Sequence, residues 1–172
     1  ISLLIASGSS ALSTIKMGEG KNDEASRLLN GGFTLLVVTG VMLMVLLYAF
    51  LRPMLMFFGG SANTLPYAVE YMKIYIAGTI AGQVSLGMNY FINSQGYTRT
   101  GMISVVCGAV ANIILDPILI FGFNMGIKGA AIATVISQII SAIWVMAFLC
   151  SKTPVLRMRR KELMPDEVLM KR

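Results

Sequence analysis

The run from Leu28 to Leu51 limits the possible folds most: it contains no charged residue and is bracketed by Arg27 and Arg52. Coiled as an α-helix it reaches about 36 Å, more than the roughly 30 Å of a bilayer's hydrocarbon core. Four other apolar blocks repeat the pattern, at Ile1 to Ile15, about Ile74 to Gly96, Gly101 to Phe123 and Gly129 to Cys150, with short polar loops between them. Hydrophobic residues make up 56% of the chain and charged residues 13%, whereas soluble domains carry about a quarter charged. The chain therefore reads as an all-α polytopic transmembrane helix bundle, a partial first helix plus four full spans. Residues 1–150 are expected to form the transmembrane helices, and 151–172 a basic cytoplasmic linker.

Ile1 to Ile15 would span about 22 Å as a helix, too short to cross, so it reads as the second half of one. It has neither an initiator Met nor a basic leader and is no signal peptide; the chain is expected to begin part-way through a larger protein. Small residues crowd the block, among them Ala6, Ser7, Gly8, Ser9 and Ser10, and such residues let helix backbones approach closely in lipid.

After the first loop, Asn22 is a candidate helix cap, with Asp23 and Glu24 placed favourably against the positive end of the helix dipole. Pro53 is expected to end the span that follows. Tyr67, Tyr71 and Tyr75 fall on one helical face, as in an interfacial aromatic belt. Gly78, Gly82, Ser85, Asn89 and Asn93 then mark a small and polar stripe that packs against neighbours or lines a wet cavity.

A formal charge of +6 does not imply nucleic acid, because the basic residues lie at the ends of the apolar blocks and in the tail. With these spans, Lys16, Lys21, Arg27, Arg99 and the seven tail residues Lys152, Arg157, Arg159, Arg160, Lys161, Lys171 and Arg172 share one side, and Arg52, Lys73 and Lys128 the other. The positive-inside rule places the eleven in the cytoplasm, against three outside. The expected location is the cell (inner) membrane.

Several chemistries find no support. The chain has no His, the commonest general base and metal ligand. Cys107 and Cys150 lie singly in apolar runs without metal-site spacing and read as packed free thiols. Gly18 and Gly20 before Lys21 lack the spacing of a phosphate-binding loop. No enzyme, cofactor or metal site is expected. The thirteen Met residues read as general packing, and Trp144 as an interface anchor.

One ionisable group stands inside a span. Asp116, followed by Pro117, interrupts the otherwise uncharged run from Gly101 to Phe123, and such a costly group marks an ion or substrate path more often than a structural contact. Asn112 lies four residues earlier, on the same helical face. Pro117 lacks a donor and crowds the carbonyl of Ile113, so a bend is expected beside Asp116. The short turn from Asn124 to Lys128 returns the next helix as an antiparallel neighbour. Asp116 is then about 10 Å from the turn and Thr134 about 8 Å. Ser137 or Gln138 continues the stripe from Thr134, and Gln83 is a further candidate for cavity lining.

Asn-Ile-Ile-Leu-Asp-Pro from Asn112 to Pro117, then Gly126, Gly129-Ala130-Ala131 and Ala133-Thr134, resembles the multidrug and toxic compound extrusion (MATE) family of antiporters. Gly18-Glu19-Gly20-Lys21, Phe58-Gly59, Pro66-Tyr67-Ala68 and Gln95-Gly96 fit the same resemblance. It implies a twelve-helix, two-lobe transporter, of which this chain matches the end of the second helix through the sixth plus the linker. It implies that Asp116, Asn112 and Thr134 match a proton or cation site in the amino-terminal lobe, coupled to H⁺ or Na⁺. It implies as partners an amphipathic, often cationic small molecule, membrane lipid, and a first helix and carboxy-terminal lobe absent from this sequence. Two alternatives remain open: a lipid-linked saccharide flippase of a related branch, and a non-transporting membrane scaffold subunit in which Asp116 is structural.

Overall fold

The computed structural model describes residues 2–59, 61, 63–151 and 153–156. The described residues form seven α-helices and one π-helical turn, with no strand among them. In chain order these are α1 (Ser2–Gly18), α2 (Asn22–Ala49), α3 (Leu51–Phe57), α4 (Leu65–Ala77), α5 (Thr79–Ser94), α6 (Thr98–Pro117), the π turn (Ile118–Gly122) and α7 (Ile127–Cys150). Of the basic linker expected at 151–172, Lys152 and residues 157–172 lie outside the described residues.

Among the described residues, three segments are long and apolar enough to cross a membrane: α2, Thr98–Gly122 and α7. Their outward faces carry exposed Val38, Met42 and Val45 on α2 and Val105 and Ile113 on α6. Lipid satisfies such faces and water does not. The helices alternate in direction. At one end Ser13 of α1 donates a hydrogen bond to the Ala25 carbonyl of α2 (3.0 Å), and at the other Tyr48 of α2 donates to the Lys73 carbonyl of α4 (2.5 Å). The core is a cluster of α2, α5 and α7 side chains that includes Leu29, Leu36, Met88, Phe91, Ile92, Val145 and Leu149, all fully buried.

Three local expectations are corrected. The second span does not run on to Pro53: it stops at Ala49, and α3 restarts at Leu51 with Pro53 inside it. A proline ring crowds the carbonyl four residues back, here that of Ala49, so the break falls upstream of the proline. Pro53 itself sits in the first turn of α3, where a missing N–H costs little.

The third run is not one helix but α4 and α5, divided at Gly78. A Cβ at Gly78 would lie 2.6 Å from a Val135 methyl of α7. The glycine that weakens the helix locally is thus the one that lets α7 come close. Asn22 is the first residue of α2 rather than its cap; Lys21 holds that position without a side-chain hydrogen bond. Lys16 instead joins the end of α1 to Glu19 (3.1 Å) and Glu24 (3.3 Å), and Lys21 pairs with Glu19 (3.0 Å).

Candidate functional site

At Pro117 the α-helical ladder of α6 ends. The proline supplies no N–H, and the next turn closes with a π-type bond from the Phe123 N–H to the Ile118 carbonyl (3.0 Å). Met125 and Gly126 then donate to Leu119 and Ile120 (3.2 and 3.4 Å), and Asn124 and Gly126 adopt positive φ of 52° and 54°. This tight reversal sets the start of α7 beside the end of α6, on which Asn112 and Asp116 stand one turn apart.

The side-chain atoms Asp116 Oδ1 and Asn112 Nδ2 are buried without a hydrogen-bond partner among the described residues. A buried polar atom in that state is costly. On α7, the Thr134 hydroxyl donates to the Ala130 carbonyl (2.9 Å). Its proton is engaged within the helix, and its oxygen lone pairs remain available as acceptors. Ser137 donates in turn to the Thr134 carbonyl (2.8 Å).

A cleft of about 330 Å³ opens between α5, α6 and α7 and is lined by, among others, Ser85, Asn112, Thr134, Ser137, Gln138 and Ser141. Four of the residues singled out from sequence, Asn112, Thr134, Ser137 and Gln138, therefore share one space. Asp116 and Pro117 stand a turn beyond it and do not line it. Gln138 leans on α5, where a Cβ at Gly82 would lie 3.1 Å from its Oε1. Gln83, the residue after Gly82, is turned the other way: its Oε1 faces Gly40 of α2, 3.5 Å from where a Cβ there would be. Gln83 therefore does not line the cleft. Ser85, from the small and polar stripe of the third run, does line it, and so does Ser141.

The described residues contain no cluster of carboxylates, Cys or His able to hold a metal ion. What the arrangement offers is neutral oxygens along the cleft and one buried carboxylate oxygen a turn beyond it.

The MatE family model matches residues 1–118 of the sequence, through Asn112 and Asp116. This chain belongs to the MATE family. Members of the family are membrane transporters, not enzymes. The multidrug export protein MepA of Staphylococcus haemolyticus (strain JCSC1435) is 29% identical over 134 residues, covering 78% of this chain and 30% of that protein. MepA of Staphylococcus saprophyticus is 28% identical over 112 residues, 65% of this chain and 25% of that protein.

The same fold recurs in solved structures. A multidrug resistance MATE family transporter of the MOP superfamily in its inward-facing conformation superposes with a TM-score of 0.91 at 20% identity, covering 99% of this chain and 39% of that one. A MATE crystal structure in the bent conformation gives 0.92, again at 20% identity, over 98% and 38%. Likeness at this identity speaks to the fold alone. The chain thus spans 30% or less of the length of these two MepA proteins.

Proposed function

We propose that the transporter containing this chain exports amphipathic or cationic drugs and toxic compounds in exchange for H⁺ or Na⁺, and that Asp116, Asn112 and Thr134 take part in the coupling. The observation that carries this reading is the unpartnered buried oxygen Asp116 Oδ1, placed where α6 loses its α-helical hydrogen bonding. A proton on Asp116, or a cation shared with the Asn112 carboxamide oxygen and Thr134 Oγ1, relieves the cost of the buried carboxylate. The π turn after Pro117 is the natural place for α6 and α7 to repack when that happens. Ion and drug then shift one two-state equilibrium from different sides.

In this reading the end of the bundle bearing Lys16 and Arg99 and the linker beyond α7 face the cytoplasm, in the cell (inner) membrane. A first helix with an acidic residue and a second lobe complete the drug cavity. Among the described residues that line it, the cleft carries no cationic side chain, so these offer a lipid-linked saccharide's phosphate no counter-charge. The test is Asp116→Asn in the full-length transporter, reconstituted in vesicles with an imposed ion gradient. The variant should insert normally and lose ion-driven export; export at the parental rate overturns the assignment.

A further inference from the structure

Helix α6 touches the bundle along a narrow line. Its buried residues are Gly101, Ser104 and Gly108, none with a bulky side chain. Contact along a small-residue stripe brings backbones close and lets polar side chains of the neighbours reach in, Ser141 against Gly108 and Asn89 against Gly101. Hydrogen bonds at one end add direction to that contact. Asn89 of α5 donates from Nδ2 to the Gly101 carbonyl (2.9 Å) and to Ser104 Oγ (2.6 Å), and Ser141 of α7 donates to the Ser104 carbonyl (3.0 Å). Ser104 passes its own proton to the Gly101 carbonyl (2.7 Å), and Asn93 donates to Asn89 Oδ1 (3.0 Å). Both polar atoms of Asn89 are thus engaged, and Asn89 and Ser104 are only 7% and 0% exposed.

The other end of α6 is the opposite case. About 12 and 18 Å along the helix from Ser104, Asn112 and Asp116 present atoms that nothing among the described residues holds. A fully satisfied network rigidifies the elements it joins, whereas the unpartnered groups contribute no hold of their own. One helix therefore has an end fixed by side-chain hydrogen bonds and an end whose polar groups are unmet, and the candidate coupling site lies on the latter.

We propose that Asn89 is a positioning residue for the cation site: by pinning Gly101 and Ser104 it sets the axial register and rotation of α6, and so where Asn112 and Asp116 stand relative to Thr134. This rests on the ion-coupled reading above. A constellation that binds an ion must be held to within about 0.5 Å, and a change of one residue in register turns a side chain by about 100° around the helix. Losing the pin therefore weakens cation binding without removing any ligand.

The experiment measures export by the full-length transporter in vesicles across a pH series and a Na⁺ series, using whichever cation drives the parent. Asn89→Leu, similar in size but without a donor, should raise the half-saturating cation concentration about tenfold. Ser141→Ala, which deletes a single bond to α6, should raise it about threefold. Cation-dependent protection against thermal unfolding of the purified protein should fall in the same order. An Asn89→Leu protein with the parental cation dependence, whatever its maximal rate, overturns the proposal. Should that variant fail to fold, an unshifted Ser141→Ala overturns it equally. Loss of the coupling reading itself is seen separately, as full ion-driven export by Asp116→Asn, and removes the proposal with it.

Discussion

Gly129, in the first turn of α7, lies so close to Leu119 of the π turn that a Cβ there would sit 2.7 Å from the Leu119 carbonyl carbon and 2.8 Å from its oxygen. The obstacle is main chain, so no side-chain rotation relieves it. Either the π turn or the start of α7 must move, and both lie within two turns of the candidate site. Gly129→Ala is expected to cost about 1–3 kcal/mol, the usual range for overpacking, and to lower the thermal midpoint of the purified transporter. Gly8→Ala, with nothing within 4 Å of its added carbon, should leave the midpoint unchanged or slightly raised. Equal midpoints for the two variants would show that the contact carries no weight.

Beyond α7 the chain folds back under the bundle. Tyr97 donates to the Thr153 carbonyl (3.1 Å), the Leu156 N–H donates to Gln95 Oε1 (2.9 Å), and the Leu156 side chain is fully buried in the cluster that holds Leu29, Phe91, Val145 and Leu149. An aspartate there would sit among the apolar side chains of the described cluster, and an uncompensated buried charge costs about 3–5 kcal/mol. Leu156→Asp should greatly reduce the monodisperse protein recovered after detergent extraction. Val155→Asp, whose site is 51% exposed, should be recovered at the parental yield.

The spans were legible because a bilayer leaves a long uncharged run few alternatives: α2 and α7 end close to where hydropathy places them. The breaks at Phe50 and Gly78 were not. The first depends on which carbonyl Pro53 crowds and the second on Val135, which belongs to another helix. The same division holds at the site. Asn112 and Asp116 share a face because they are four apart, and a short turn brings Thr134 alongside. The bonds from Asn89 to Ser104 and from Ser141 to the Ser104 carbonyl depend on how each helix is rotated about its own axis, which no single-helix pattern encodes. Gln83 shows the limit most clearly. One residue from Gly82, it is turned by about 100°, enough to exchange the cleft for α2.

The charged loop between α1 and α2 should give a pH signature of its own. Hydrogen bonds from Lys21, then Lys16, hold the Glu19 carboxyl below its ordinary 4.5, and Glu19, then Glu24, hold the Lys16 amine above its ordinary 10.5. A lowered carboxylate stabilises fully above its unfolded value and loses that contribution as pH falls through the folded one. A raised amine stabilises fully below its unfolded value and loses it as pH rises through the folded one. The contribution therefore spans neutral pH. It is small and salt-sensitive, because these groups are exposed. The difference in thermal midpoint between the parent and Glu19→Gln should be steady around neutrality, shrink as pH drops below 4.5, and shrink likewise in high salt. A gap that is unchanged in acid would rule out these ion pairs as its source.

Gln83 offers a test of whether polarity is kept inside the lobe for transport rather than for folding. It is 8% exposed, and its Oε1 is buried with no hydrogen-bond partner among the described residues. Leucine has a similar size and no such acceptor, so Gln83→Leu removes a desolvation cost of about 1 kcal/mol or more. The expected result is a thermal midpoint equal to or above the parent's together with slower export. Gains in stability bought by loss of function are characteristic of groups retained for activity. Unchanged export would instead make Gln83 a tolerated packing fault, and its position on the α2 face, away from the cleft that Gln138 lines, would then mark the boundary of the functional surface on α5.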